Sequence, residues 1–357
     1  MSVTALAEKM PVAARRGEYR GAETVAVYSD PRTEFAEMVS GCAIYDLGWR
    51  VKIELTGKDR VRWLNAMVTN NIRDLAAGRG VYAFVLTPQG RILGDLYAYN
   101  RGESLFVDTD QSQAPKLLEV FRRYIIMDQV ELSNLSDKLT AIGITGPKSR
   151  EVLRRAGFDV PQLETLQLTE FTWTGINLLL VRAESEQRES YEIWLAPENI
   201  DQLWAALIKA YATPVGSEGL ELYRIAAGVP SYGQDIHDRD LPQETEQMRA
   251  LSFTKGCYIG QEIVERIRSR GNVHRAFSGF FIAGSLPAQG TKLELDGKEV
   301  GEITSAASLP LANGERPVAL GYIRKEVAAS GKVLGAGPAR ATVTELPFAE
   351  IFESANS

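Results

Sequence analysis

The first regular pattern along the chain is Val51-Lys52-Ile53-Glu54-Leu55, apolar at every second position, which predicts a half-buried strand closed by Gly57 after a polar leader. Val61, Leu64 and Val68 then fall three and four apart, the spacing of a short helix that Thr69-Asn70-Asn71 ends. The apolar runs 81–86 and 92–99 flank Thr87-Pro88-Gln89-Gly90 and predict a hairpin, with 105–107 extending the sheet. Leu117, Leu118, Phe121 and Ile125 share one helical face, with Arg122 and Arg123 turned to water. This first unit is α+β.

A second stretch repeats that grammar. A strand over 139–145 is broken by Gly146-Pro147, a helix over 147–156 starts on the proline, and Gly157 stops it. Strands are predicted over 176–181 and 191–195, and Leu203, Trp204, Leu207, Ile208 and Tyr211 form an amphipathic stripe assigned to core. Beyond Arg275 the strands become short and glycine-rich. Runs 292–295 and 298–300 flank the hairpin turn Asp296-Gly297, and further strands fall at 318–323 and 339–346, the texture of a small barrel or sandwich. The organisation expected is an N-terminal α+β unit over 20–136, a second over 137–275 and a β-barrel over 276–352, in keeping with ~150 residues per domain in a chain of 357.

Composition narrows the function classes. With 45% hydrophobic and 24% charged residues the chain is globular, and a net charge of -6 with a pI near 5.3 disfavours broad nucleic-acid binding, transfer RNA included. No run of about 18 apolar residues and no secretory leader is present, so a cytoplasmic protein without a membrane segment is expected. Two cysteines, Cys42 and Cys257, cannot build a disulfide framework or a four-cysteine cluster, and two histidines, His237 and His274, cannot build a histidine-rich metal site. The glycine-rich nucleotide signatures and the GxSxG elbow are absent.

The segment Lys255-Gly256-Cys257-Tyr258-Ile259-Gly260-Gln261-Glu262 has another character. Two glycines bracket a thiol and an aromatic ring in what reads as an exposed turn, and Ile263, Val264 and Ile267 with Gly271 as a stop place a helix directly after it. That helix end and Lys255 are expected to favour the Cys257 thiolate. Between Gln261 and Arg275, four arginines (Arg266, Arg268, Arg270, Arg275) outweigh Glu262 and Glu265 by two charges. They form either a local anion site or a solvated helix face.

The octapeptide resembles the signature of the YgfZ folate-binding family, Lys-Gly-Cys-aromatic-any-Gly-Gln-Glu, and meets every specified position. The likeness extends through LNAMVTNNIRDL, AIGITGPKSREVL, YRIAAGVPSYGQDI, LPQE, VGEITSAA and ALGYIRKE. It also covers the related aminomethyltransferase of the glycine cleavage system, the T-protein. T-protein relatives carry paired aspartates where this chain has Gly94-Asp95, lack the cysteine motif, and have glutamate at the position of Ala226, two residues after Arg224.

The resemblance implies two α+β units around a central channel plus a C-terminal barrel, with tetrahydrofolate as cofactor and iron-sulfur enzymes or their assembly proteins as partners. A pteridine is flat and rich in donors and acceptors, and calls for carboxylates, amides and aromatic rings. Asn70, Tyr82, Asp95, Glu192, Arg224, Tyr258, Gln261, Glu262 and Arg266 are the candidate cofactor contacts, and Cys257, Lys255 and Asp95 the candidate reactive groups. A folate-dependent aminomethyltransferase and a non-catalytic folate-binding scaffold are the rival readings.

Overall fold

The structure is a computed structural model that describes residues 2–10, 14–185, 187–271, 273–311 and 314–353. The chain divides into two compact units. One holds Met1–Val85, Asp95–Leu220 and Thr254–Tyr258, and the other Leu86–Gly94, Glu221–Phe253 and Ile259–Ser357.

Two sheets supply most of the first unit's strands, the hairpin tip Leu86–Gly94 belonging to the second unit. A six-stranded sheet runs in the order Leu168–Trp173, Ile176–Arg182, Ser190–Leu195, Thr140–Thr145, Ala43–Asp46, Thr213–Val215. A five-stranded sheet runs Arg79–Leu86, Ile92–Asn100, Leu105–Asp110, Arg50–Thr56, Glu131–Asn134. Tyr99, Phe106, Val181 and Trp194 share one buried cluster that joins residues of both sheets, with the Trp194 ring 5.3 Å from Tyr99 and stacked at 6.2 Å on Phe106. Burying such rings is the main stabilising term here, roughly 2–3 kcal/mol for each large apolar side chain.

Most expected elements are present. The hairpin closes with Thr87 N–H donating to Arg91 O and Gly90 N–H to Thr87 O, and the helix Ala114–Tyr124 buries Leu117, Leu118 and Phe121. The helix expected from Pro147 begins two residues later, as Ser149–Arg155. In the helix Ile200–Lys209, Leu203, Trp204 and Leu207 are core, but Ile208 is 42% exposed and Tyr211, beyond the helix end with φ of 71°, is 79% exposed. Those two do not belong to the core stripe.

The leader is also structured. Asp30 caps the helix Pro31–Ser40 by accepting from Thr33 N–H, and the strand Ala43–Asp46 lies inside the six-stranded sheet between an antiparallel and a parallel partner. Four residues are too few to display a period, which concealed this mostly buried strand.

In the second unit, the strands Arg275–Ala283, Gly314–Arg324, Lys298–Leu311, Lys292–Leu295, Val333–Ala336 and Ala339–Thr344 close into a barrel. Closure comes from the first strand pairing with both Gly314–Arg324 and Ala339–Thr344, which leaves no free edge. Lys298–Leu311 is far longer than the three residues expected, with a register shift between Ile303 and Ser305 that bends it. The overall class is mixed α+β with a small C-terminal β-barrel. Among the described residues, no helix is long and apolar enough to cross a membrane.

Candidate functional site

Two candidates, Tyr82 and Asp95, meet on the five-stranded sheet, and a third, Asn70, binds the backbone of its edge strand. Tyr82 Oη donates to Asp95 Oδ2 at 2.6 Å, and Gln113 Nε2 donates to Asp95 Oδ1 at 2.8 Å while its Oε1 accepts from the Asp95 N–H at 2.9 Å. Asn70 Nδ2 donates to Tyr82 O at 2.8 Å, so the turn after the first helix is tied to the same strand. The Tyr82 ring lies 5.0 Å from Tyr97 and 5.6 Å from Phe84, giving the carboxylate an aromatic flank. Burial pushes the Asp95 carboxyl above its ordinary range, with Asp110 adding to the rise and the Tyr82 and Gln113 hydrogen bonds and Arg50 opposing it.

A row of charges not expected from the sequence stands behind these groups. Register places Arg50 opposite Asp110 and Lys52 opposite Asp108 on neighbouring strands. Arg50 Nε and Nη2 meet Asp108 Oδ2 at 3.0 and 2.9 Å, Arg50 Nη1 meets Asp110 Oδ1 at 3.1 Å, and Arg20 adds a second cation to Asp110 at 3.1 Å. Lys52 has no exposed surface, although the alternation of 51–55 puts it out of phase with the apolar positions. Opposite charges directly across an antiparallel pair stabilise each other, and that pairing permits the burial.

Glu192 enters from the six-stranded sheet. Its Oε2 accepts from Trp194 Nε1 at 2.7 Å, and the opposite influence on that ring is Lys52 Nζ, 4.7 Å from its centroid. Burial, then Asp108, push the Glu192 carboxyl up, and Lys52, Arg50 and the Trp194 hydrogen bond pull it back. Asp95 and Glu192 are both only half-buried, so each keeps part of its surface open to a ligand. Two such carboxyls, Asp95 beside the Tyr82 ring and Glu192 hydrogen-bonded to the Trp194 indole, suit a flat heterocycle with N–H donors.

The octapeptide is divided by role. Lys255 Nζ donates to the carbonyls of Asn65, Val68 and Asn70 at 2.5, 2.6 and 2.7 Å and lies 4.9 Å from the Tyr258 ring centroid. Its ammonium therefore anchors the turn that carries Asn70 rather than standing free beside the thiol. Burial, reinforced by Arg73, pushes its pKa down to about 7. Cys257 is exposed and reduced, and it precedes by three residues the N-cap Gly260 of the helix Gln261–Arg270, outside that helix's first turn. A further cation at this turn, not expected from the sequence, is Arg73, whose Nη2 lies 3.4 Å from where a Cβ on Gly256 would stand.

Glycine is required at only one of the two bracketing positions. Gly260 has φ of 83°, and a Cβ there would meet Thr87 O at 2.7 Å, whereas Gly256 is not in the left-handed region. Tyr258 is buried, Gln261 is half-buried, and Glu262 is exposed and paired with Arg266 at 2.6 Å one turn along the helix.

The other arginines are matched as well. Arg268 meets Glu265 at 3.5 Å, and Arg275 meets Asp240 at 2.5 Å and Glu244 at 3.1 Å; the side chain of Arg270 lies outside the described residues. The Glu262–Arg266 and Glu265–Arg268 pairs are exposed, contribute ~0–1 kcal/mol each and mark a solvated helix face, whereas Arg275 lies on the first barrel strand and meets the buried Asp240 and Glu244. Arg224 is buried in the second unit, with its guanidinium donating to Glu221 twice, to Asp235 and Ser305, and to Val229 O. All five of its N–H donors are occupied inside the protein, so it braces the second unit.

The fold with this site defines a T-protein-like α+β protein. The structure superposes on the glycine cleavage system aminomethyltransferase T of Bartonella henselae with a TM-score of 0.87, at 20% identity and covering 98% of both chains. The family described as the GCVT N-terminal domain matches residues 11–255, and the chain belongs to that family. It is 26% identical over 346 residues to an aminomethyltransferase of Rubrobacter xylanophilus, covering 96% of this chain and 92% of the relative. It is 27% identical over 356 residues to an aminomethyltransferase of Symbiobacterium thermophilum, covering 95% and 94%.

Proposed function

We propose that this chain is a tetrahydrofolate-binding protein of the YgfZ kind, which holds the pteridine against Asp95, Tyr82 and Glu192 and presents Cys257 to iron-sulfur enzymes or their assembly proteins. The folate part is supported by the family and by two half-buried carboxyls, Asp95 held by Tyr82 and Glu192 held by Trp194. The observation that carries the thiol part is the exposed, free Cys257 two residues after Lys255, whose ammonium anchors that end of the turn. An accessible thiolate is a soft ligand for iron and a nucleophile for thiol exchange, and either use suits transient handling of a cluster.

A second reading is favoured by the names of the relatives, which are aminomethyltransferases. On that reading Asp95 orients the one-carbon group on the folate and Cys257 has no part. Gly94 leaves a single carboxylate in the hairpin, which counts against a transferase built on an adjacent pair.

The deciding experiment combines rescue with a transfer assay. Wild type is expected to restore a cluster-dependent client enzyme in cells lacking this protein, and Cys257→Ser is not. Full rescue by Cys257→Ser, together with one-carbon transfer from an aminomethylated carrier to tetrahydrofolate by the purified chain, would overturn the thiol reading in favour of the transferase.

A further inference from the structure

We infer that Lys52 and Asp108 are an opposed pair of positioning residues that set the charge on Glu192, and thereby the pH range in which this face accepts a pteridine. The inference rests on the folate reading above and assigns work to two residues that touch no ligand.

Lys52 is wholly buried and meets Asp108 Oδ1 at 3.2 Å, while its Nζ sits 4.7 Å from the centroid of the Trp194 ring. The same indole donates its N–H to Glu192 at 2.7 Å. One side chain is thus held at its face by a cation and at its edge by a carboxylate. A cation over the ring withdraws electron density from it and makes the N–H a better donor, so Lys52 acts on Glu192 through Trp194 as well as through space.

The charged groups that act most strongly on Glu192 come from neighbouring strands, and Tyr45 of Ala43–Asp46 lays its ring over Gly143, directly opposite Glu192. Asp108 comes from Leu105–Asp110, Lys52 and Arg50 from Arg50–Thr56, and Tyr99 from Ile92–Asn100; its own strand brings Trp194. Arg50 is shared between Asp108 and Asp110. Lys52 and Asp108 therefore pull in opposite senses, the first toward the carboxylate and the second toward the acid.

The protonation state matters because the amino and ring N–H groups of a pteridine are donors. A carboxylate offers acceptors to both, while a protonated carboxyl turns one oxygen into a competing donor. Binding should then fall on the acid side as Glu192 takes up a proton, with the midpoint of that fall set by the Lys52–Asp108 pair.

The test measures tetrahydrofolate affinity of the full chain against pH. Lys52→Met should move the acid limb upward by about one pH unit, roughly tenfold weaker binding within the shifted window. Asp108→Asn should move it downward, and Lys52→Arg, which keeps the charge, should leave it in place. Uniform weakening at every pH with an unmoved limb would reduce both residues to structural roles and overturn the inference. If Lys52→Met does not fold, the opposite sign required of Asp108→Asn still decides.

A second readout separates this inference from the folate reading. The side-chain carboxyl carbon of Glu192, assigned by its loss in Glu192→Gln, can be titrated by NMR without ligand. Opposite displacements of its midpoint in Lys52→Met and Asp108→Asn support the pair even if wild type binds no folate; coincident midpoints reject it even if folate binds.

Discussion

Tyr82 donates its hydroxyl to Asp95 across 2.6 Å, joining the two strands of the hairpin, and its backbone carbonyl accepts from Asn70. A hydrogen bond to a carboxylate is worth ~1.5–3 kcal/mol where both groups are shielded from water. Tyr82→Phe keeps the ring contacts with Phe84 and Tyr97 but removes that donor. It is expected to weaken tetrahydrofolate binding about tenfold and to destabilise the folded chain by ~1.5–3 kcal/mol, as calorimetry and denaturant unfolding will show.

Cys257 and Cys42 differ sharply in access. Cys257 is exposed, while Cys42 is buried in the core of the six-stranded sheet, where burial pushes its thiol up to about 12. Native wild type should take up one equivalent of a thiol reagent at neutral pH, and Cys257→Ser none until it is unfolded. Because the side chain makes no core contact, Cys257→Ser should also change stability by less than about 0.5 kcal/mol. Mass spectrometry of the labelled chain checks the first outcome and denaturant melts the second.

Lys255 satisfies three carbonyls at the end of the helix Arg60–Met67 and in the turn after it. Each buried acceptor left without a partner costs about 1 kcal/mol. Lys255→Met is therefore expected to destabilise the protein by ~3 kcal/mol and to weaken folate binding through the loosened Asn70 turn. Urea unfolding gives the stability change directly.

Glu192 has a folded pKa raised above its unfolded one, so the native state binds the proton more tightly. The unfolded chain gives up that proton first, and stability falls as pH rises from the ordinary glutamate range toward the folded value. Glu192→Gln removes this cost while retaining an acceptor for Trp194. The variant should melt higher than wild type at neutral pH, lose that advantage in mild acid, and bind folate poorly at both. Such a trade between stability and use is expected of a ligand site.

The sequence carried the fold where periodicity coincided with burial, as in the hairpin around Pro88-Gln89-Gly90 and the helix Ala114–Tyr124. It concealed Ala43–Asp46, because a four-residue strand between sheet partners has too few positions to display a period. Tyr211 looked like core because the stripe was carried two residues past the helix end at Lys209. Of the site, Asp95, Tyr82 and Glu192 were readable only through family likeness. The charges behind them left a trace in the chain, since Arg50 and Lys52 two apart and Asp108 and Asp110 two apart each mark one strand face. Nothing in a linear sequence says that those two faces are paired.

Reduced folate should bind where Asp95 and Glu192 open to solvent, and calorimetric titration of wild type, Asp95→Asn and Glu192→Gln with tetrahydrofolate measures this most directly. One saturable site in wild type, weakened at least about tenfold in each variant, is the predicted result; no binding heat, or equal affinity in all three proteins, would contradict it.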